Sequence, residues 1–116
     1  MADITIYHNP RCSKSRETKA LLEEHGVEPH VVEYLKDGPT RPEIEHLMTL
    51  LGISDPRAMM RVKDDAYCDL ALADATADEL LDAMAAHPIL IERPIVVTGN
   101  RAVIGRPPAR VLELLG

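Results

Sequence analysis

The sequence contains no phenylalanine and no tryptophan, and only three tyrosines. A core built without those rings must be filled by aliphatic side chains and methionine, whose flexible thioether closes irregular gaps. Cysteine is nearly as scarce. Cys12 and Cys68 stand far apart, too few for a disulfide scaffold or an all-thiolate zinc site, and they point to a reducing, cytoplasmic setting. No apolar run approaches the ~18 residues that cross a bilayer, so no membrane partner is expected. Met1-Ala2-Asp3-Ile4 offers neither a basic n-region nor a long apolar h-region, so no signal peptide is expected. His25, His30, His46 and His87 are scattered outside any H-E-x-x-H or paired Cys/His spacing, and the glycines form no phosphate loop or dinucleotide fingerprint. Neither a metal nor a bound cofactor is therefore expected.

What remains is a chain of 116 residues, 46% hydrophobic, with 19 acidic and 13 basic side chains for a formal charge of −6. One domain over residues 1–116 is the expectation at this length, and the hydrophobic content excludes general disorder. The acidic balance argues against a nucleic-acid partner.

The punctuation of the chain predicts its elements. Ile4-Thr5-Ile6-Tyr7 alternates and is β-branched, so it reads as a strand, and His8-Asn9-Pro10-Arg11 reads as a loop. A helix is expected from Ser13 to His25, closed by Gly26, with a second strand over His30–Leu35. Strand, helix and strand in so short a span predict a parallel βαβ unit. Thr40-Arg41-Pro42-Glu43 and Thr76-Ala77-Asp78-Glu79 are capping boxes that start two helices, the first ending at Gly52 and the second before Pro88. A short helix is expected over Pro56–Arg61. Ile89-Leu90-Ile91 then marks the return of strands, followed by Ile95-Val96-Val97, a Gly99-Asn100 turn, Ala102-Val103-Ile104, and a last helix entered at Pro107-Pro108. The expected class is α/β: a thioredoxin-like βαβ…ββα core over about 1–38 and 88–116, with a helical insert over about 39–87.

Cys12 carries the chemistry. It stands where a loop meets a helix start, where free backbone N–H groups and the positive helix end favour a thiolate. Arg11, Lys14 and Arg16 add positive potential, and His8 is placed to stabilise the thiolate as an imidazolium or to relay its proton. The plainer alternative is a small buried cysteine after a loop. Ser15 occupies the position where a second cysteine would complete C-x-x-C, so a resolving thiol must come from elsewhere; Ser13 or Ser15 could equally cap the helix. Cys68 has no basic neighbour and reads as structural, with a resolving role as the alternative. Arg61, Arg93 and Arg106 come from three separate segments. Each alone suits a solvated surface charge, and together they suit a tetrahedral oxyanion, because a planar guanidinium binds two oxygens at once. Pro94 is a candidate cis proline.

The run Ile4-Thr5-Ile6-Tyr7-His8-Asn9-Pro10-Arg11-Cys12-Ser13-Lys14-Ser15-Arg16 resembles the start of the ArsC family, the glutaredoxin-coupled arsenate reductases, in its short chromosomal form. The resemblance continues through Gly52-Ile53-Ser54, Arg57–Arg61 and His87–Val97 to Arg106-Pro107, nearly the whole chain. It implies a thioredoxin-like fold and an oxidoreductase. Cys12 matches the family nucleophile, His8 the histidine that helps ionise it, Arg61, Arg93 and Arg106 the arginines that hold oxyanion and thiolate, and Pro94 the cis proline. Asn9, Arg11, Ser15 and Arg16 fall in the substrate-binding loop. The implied substrate is arsenate, with glutathione as co-substrate and glutaredoxin as protein partner. Two other readings stand beside it: a glutathione-dependent thiol-disulfide oxidoreductase of another substrate, and an Spx-like non-enzymatic regulator, which Ser15 disfavours as a disulfide switch. The unrelated phosphatase-like reductases need C-x5-R, and here Thr18 stands at the sixth position after Cys12.

Overall fold

A computed structural model describes residues 4–36 and 38–115. The expectations on Met1-Ala2-Asp3 fall outside the described residues. The chain divides into two compact units, Met1–Asp37 with Arg93–Gly116, and Gly38–Glu92.

The first unit is a four-stranded mixed sheet with helical segments. β1 (Ile4–Tyr7), α1 (Ser13–Glu24), β2 (His30–Val32), β3 (Ile95–Thr98) and β4 (Arg101–Ile104) are followed by a 3-10 helix over Pro108–Leu114. The strands lie in the order β2-β1-β3-β4. β1 and β2 are parallel, Thr5 opposite His30 and Tyr7 opposite Val32, as the βαβ reading requires. β3 runs antiparallel to β1 with Ile6 opposite Val96, and the Gly99-Asn100 turn returns β4 with Val103 opposite Val96. Alternation along β1 turns Ile4 and Ile6 inward, where they meet Leu22 of α1, Val96, Val103 and Val111 of the last helix. Each such side chain removed from water contributes about 1.5–3 kcal/mol. That layer fixes the end of β1, and hence the loop that follows it.

β2 is shorter than its apolar run. It sits at the sheet edge with β1 as its partner, and β1 ends opposite Val32. Glu33 to Lys36 turn instead, with Lys36 N–H donating to Glu33 O at 2.9 Å. The last helix is wound as 3-10, with i to i+3 bonds such as Arg110 N–H to Pro107 O at 3.0 Å.

The second unit is mostly helical: α2 (Arg41–Leu51), a 3-10 turn at Pro56–Met59, α3 (Asp65–Asp69), a 3-10 turn at Leu72–Asp74, α4 (Ala77–Ala86) and a 3-10 turn at Pro88–Leu90. Both capping boxes form, Thr40 with Glu43 and Thr76 with Glu79. Gly52 ends α2 at φ 72°, a left-handed conformation that a Cβ would strain. Ile44, Leu47, Leu80 and Met84 are buried, and Arg41 ties α2 to α4 through Asp78 and through Asp82 at 2.8 Å. Met59 and Met84 are fully buried, supplying volume that aromatic rings would otherwise fill. Ile89-Leu90-Ile91 is not a strand. Pro88 opens a 3-10 turn closed by Ile91 N–H on Pro88 O at 3.0 Å, and Ile91 makes only an isolated bridge to Met60.

Candidate active site

The thiol loop is built by its own backbone. His8 N–H donates to Val32 O at 2.8 Å, so the sheet register continues one residue past β1. Asn9 then makes a turn: its side-chain oxygen accepts from Arg11 N–H and its carbonyl from Cys12 N–H, both at 3.0 Å. Cys12 is the N-cap of α1, at φ −94° and ψ 123°, and its carbonyl accepts from Arg16 N–H at 3.0 Å. The thiol therefore stands among amides that have no partner inside the helix. Neither serine caps α1. Ser13 is exposed, and Ser15 is fully buried one turn inside.

Ser15 has a different task. Its hydroxyl lies 2.6 Å from His8 Nδ1 and accepts from Asn9 N–H at 3.0 Å. His8 is 7% exposed. Burial, with the Lys19 charge, holds its imidazole below the ordinary pKa, against an opposing pull from Glu33. The ring is thus held toward its neutral form, in which Nδ1 and the Ser15 hydroxyl share one hydrogen bond. The imidazolium role expected for His8 is not supported; the ring braces the loop through Ser15.

Two arginines border the sulfur in this unit. Arg106 Nη2 donates to Cys12 Sγ at 3.8 Å, and its Nε donates to the Arg93 carbonyl at 2.8 Å. Burial pushes the Cys12 thiol up, but the Ser15 amide, the Arg93 charge and the Lys14 amide outweigh it and hold the thiol below its ordinary value. Nε and Nη1 of Arg93 are buried without a hydrogen-bond partner among the described residues. Buried donors of this kind are costly unless a ligand meets them. Arg93–Pro94 is cis, and so is Arg106–Pro107. Arg11 and Arg16 are exposed, Arg16 Nη1 donating to Pro10 O at 3.2 Å.

The fold thus gathers His8, Asn9, Cys12, Ser15, Arg93, Pro94 and Arg106 within the first unit. Arg61 belongs to the second. Its guanidinium pairs with Asp64 at 2.9 Å, and its N–H donates to Leu90 O at 2.7 Å. Cys68 is exposed on α3. Among the described residues no group of three or more His, Cys, Asp or Glu is placed to hold a metal ion, and no helix is long and apolar enough to cross a membrane.

The ArsC family pattern matches residues 7–114. The chain belongs to the ArsC family. It is 50% identical to a Haemophilus influenzae protein named arsenate reductase, covering 97% of this chain and 98% of that one. It is 51% identical to Escherichia coli YfgD, which carries no assigned activity, with 97% of each covered. Among solved structures, arsenate reductase from Vibrio cholerae superposes with a TM-score of 0.94 at 52% identity, again over 97% of each chain. The ArsC assignment agrees with the thioredoxin-like α/β class read from the sequence. The backbone donors at Lys14 and Ser15 leave no individual trace in the sequence beyond the start of a helix after Cys12.

Proposed function

We propose that this ArsC-family protein is an arsenate reductase working through Cys12, with glutathione and a glutaredoxin supplying the electrons. The observation that carries the reading is Arg93, whose charge lies beside an acidified thiol while two of its buried N–H groups have no partner. A tetrahedral oxyanion brings several oxygens to a site where such buried donors stand unmet. The Cys12 thiolate attacks arsenic, forming an S–As bond as one oxygen leaves as water. Glutathione displaces a second oxygen. A glutaredoxin thiolate then attacks the glutathione sulfur; the S–As bond breaks with its electron pair left on arsenic, giving As(III) and a glutathione–glutaredoxin disulfide. Hydrolysis of the remaining bond frees arsenite and Cys12. Two thiols lose the two electrons that arsenic gains.

In this account Arg93 and Arg106 hold oxyanion and thiolate, Asn9 and Ser15 fix the loop, and Pro94 borders it. Arg11 and Arg16 stand in solvent, suited to the carboxylates of glutathione. The assignment of Arg61 rests on the family pattern. No metal or bound cofactor takes part, and a reducing cytoplasm suits an enzyme whose nucleophile must remain a free thiol. A single thiol at the helix start, with Ser15 where a partner cysteine would stand, also suits a second reading, glutathione exchange on disulfides. A stable Cys12–glutathione mixed disulfide without arsenate turnover would favour that one.

The test uses a Cys68→Ser protein, leaving Cys12 as the thiol. Arsenate without any donor thiol should slow iodoacetamide alkylation of Cys12 saturably, and Arg93→Ala should lose that protection. Absence of protection in the parent, or equal protection in Arg93→Ala, contradicts the reading.

A further inference from the structure

Gly105 immediately precedes Arg106, and its backbone is ordinary, with no positive φ to explain the residue. Space explains it. A Cβ at this position would lie 2.8 Å from Thr18 Oγ1, 2.9 Å from Pro94 Cγ and 3.2 Å from Thr18 Cγ2. These atoms cannot simply move aside. Thr18 is fully buried on α1 with its hydroxyl donating to Lys14 O at 2.8 Å, and Pro94 Cγ belongs to a buried ring. Gly105 N–H is itself committed to Pro94 O at 2.9 Å. The chain after β4 is thereby pressed onto α1 and onto the residue that follows Arg93. From that position the Arg106 side chain reaches both the Arg93 carbonyl and the Cys12 sulfur.

We infer that Gly105 is a positioning residue of the thiol site: the missing side chain lets the backbone approach Thr18 and Pro94 closely enough for Arg106 to donate to Cys12 Sγ. Gly105 touches neither thiol nor oxyanion and acts through Arg106. The inference deepens the reading of Cys12 as the nucleophile, and its consequence is read on the thiol without arsenate. Displacing the segment lengthens an N–H···S contact that already stands at 3.8 Å, so the thiolate loses a donor.

The experiment is a double-mutant cycle in the Cys68→Ser protein, reading the pH midpoint of Cys12 alkylation by iodoacetamide. Gly105→Ala should raise the midpoint by roughly half a unit or more, with a matching fall in rate at neutral pH. Arg106→Ala should raise it similarly, and adding Gly105→Ala to Arg106→Ala should change nothing further. If Gly105→Ala is too unstable to assay, the cycle is run in Thr18→Ala, where Pro94 Cγ at 2.9 Å still crowds the new Cβ and a smaller, still Arg106-dependent rise is expected. An unchanged midpoint, an equal shift with and without Arg106, or failure of both glycine variants to fold overturns the inference and leaves Gly105 a packing residue. The readout needs no oxyanion, so a protein that fails to reduce arsenate still tests it.

Discussion

His8 Nδ1 and Ser15 Oγ meet at 2.6 Å, and the same hydroxyl accepts from the Asn9 amide at 3.0 Å. One buried oxygen thus joins the end of β1, the turn before Cys12 and the first turn of α1. Ser15→Ala leaves an imidazole nitrogen and a backbone N–H without partners, at a cost of about 1–3 kcal/mol. Urea denaturation should show that loss. The Ser15 amide that acidifies Cys12 survives the substitution, so the thiol should remain acidic. Undiminished stability would mean that the bond contributes nothing.

The neutral His8 has a pH signature. Its folded pKa is depressed below the ordinary 6.5, so below that value the unfolded chain binds more protons than the folded one. The His8 contribution to stability is complete above pH 6.5 and is lost as pH falls through the folded pKa. His8→Asn, which keeps a hydrogen-bonding amide near the Nδ1 position, should remove this part of the acid sensitivity. Melting curves between pH 5 and pH 7.5 compare the two proteins, and an identical slope in both would contradict the assignment.

Cys12 shifts in the useful direction. Because its pKa is lowered, thiolate becomes populated at a pH below the ordinary thiol value, and alkylation should reach half its plateau earlier than in an unstructured cysteine peptide. Arg93→Ala removes a charge that favours the thiolate, so the midpoint should move up. Arg93→Lys should restore part of the acidity while leaving arsenate turnover down roughly a hundredfold, since a point charge lacks the planar fork.

The second unit depends on Arg57. Its Nε donates to Tyr67 Oη at 3.0 Å, and its Nη2 to the carbonyls of Leu72, Ala73 and Ala75 at 3.0, 3.0 and 2.9 Å. Arg57→Met should cost about 2 kcal/mol in chemical denaturation, and Arg57→Lys should not recover it, because one ammonium cannot reach these oxygens in a fixed fork.

Local chemistry was legible in the sequence wherever one stretch held all of it. Thr40 with Glu43 and Thr76 with Glu79 announced two helix starts, Gly52 an end, and Ile4–Tyr7 the strand that delivers the thiol. Cys12 could be placed at a helix start from the Asn9-Pro10 turn before it. What depended on distant partners was not legible. Residues 33–35 look like strand, but β1 ends opposite Val32 and gives them nothing to pair with. Ile89–Ile91 has strand composition, yet Pro88 winds it into a 3-10 turn. Ser15 read as a missing cysteine or a cap, and its bond to His8 requires the loop to fold back on α1. Gly105 showed nothing locally, because Thr18 and Pro94 arrive from other elements.

Cys12 holds arsenate covalently while two external thiols reduce it. Arsenite formed from arsenate is therefore the decisive quantity, measured by chromatography with arsenic detection, with glutathione, glutaredoxin, glutathione reductase and NADPH present. Arsenite should appear in step with NADPH consumption for the parent and for Cys68→Ser, with none above background for Cys12→Ser. No arsenite from the parent protein, or undiminished arsenite from Cys12→Ser, would contradict it.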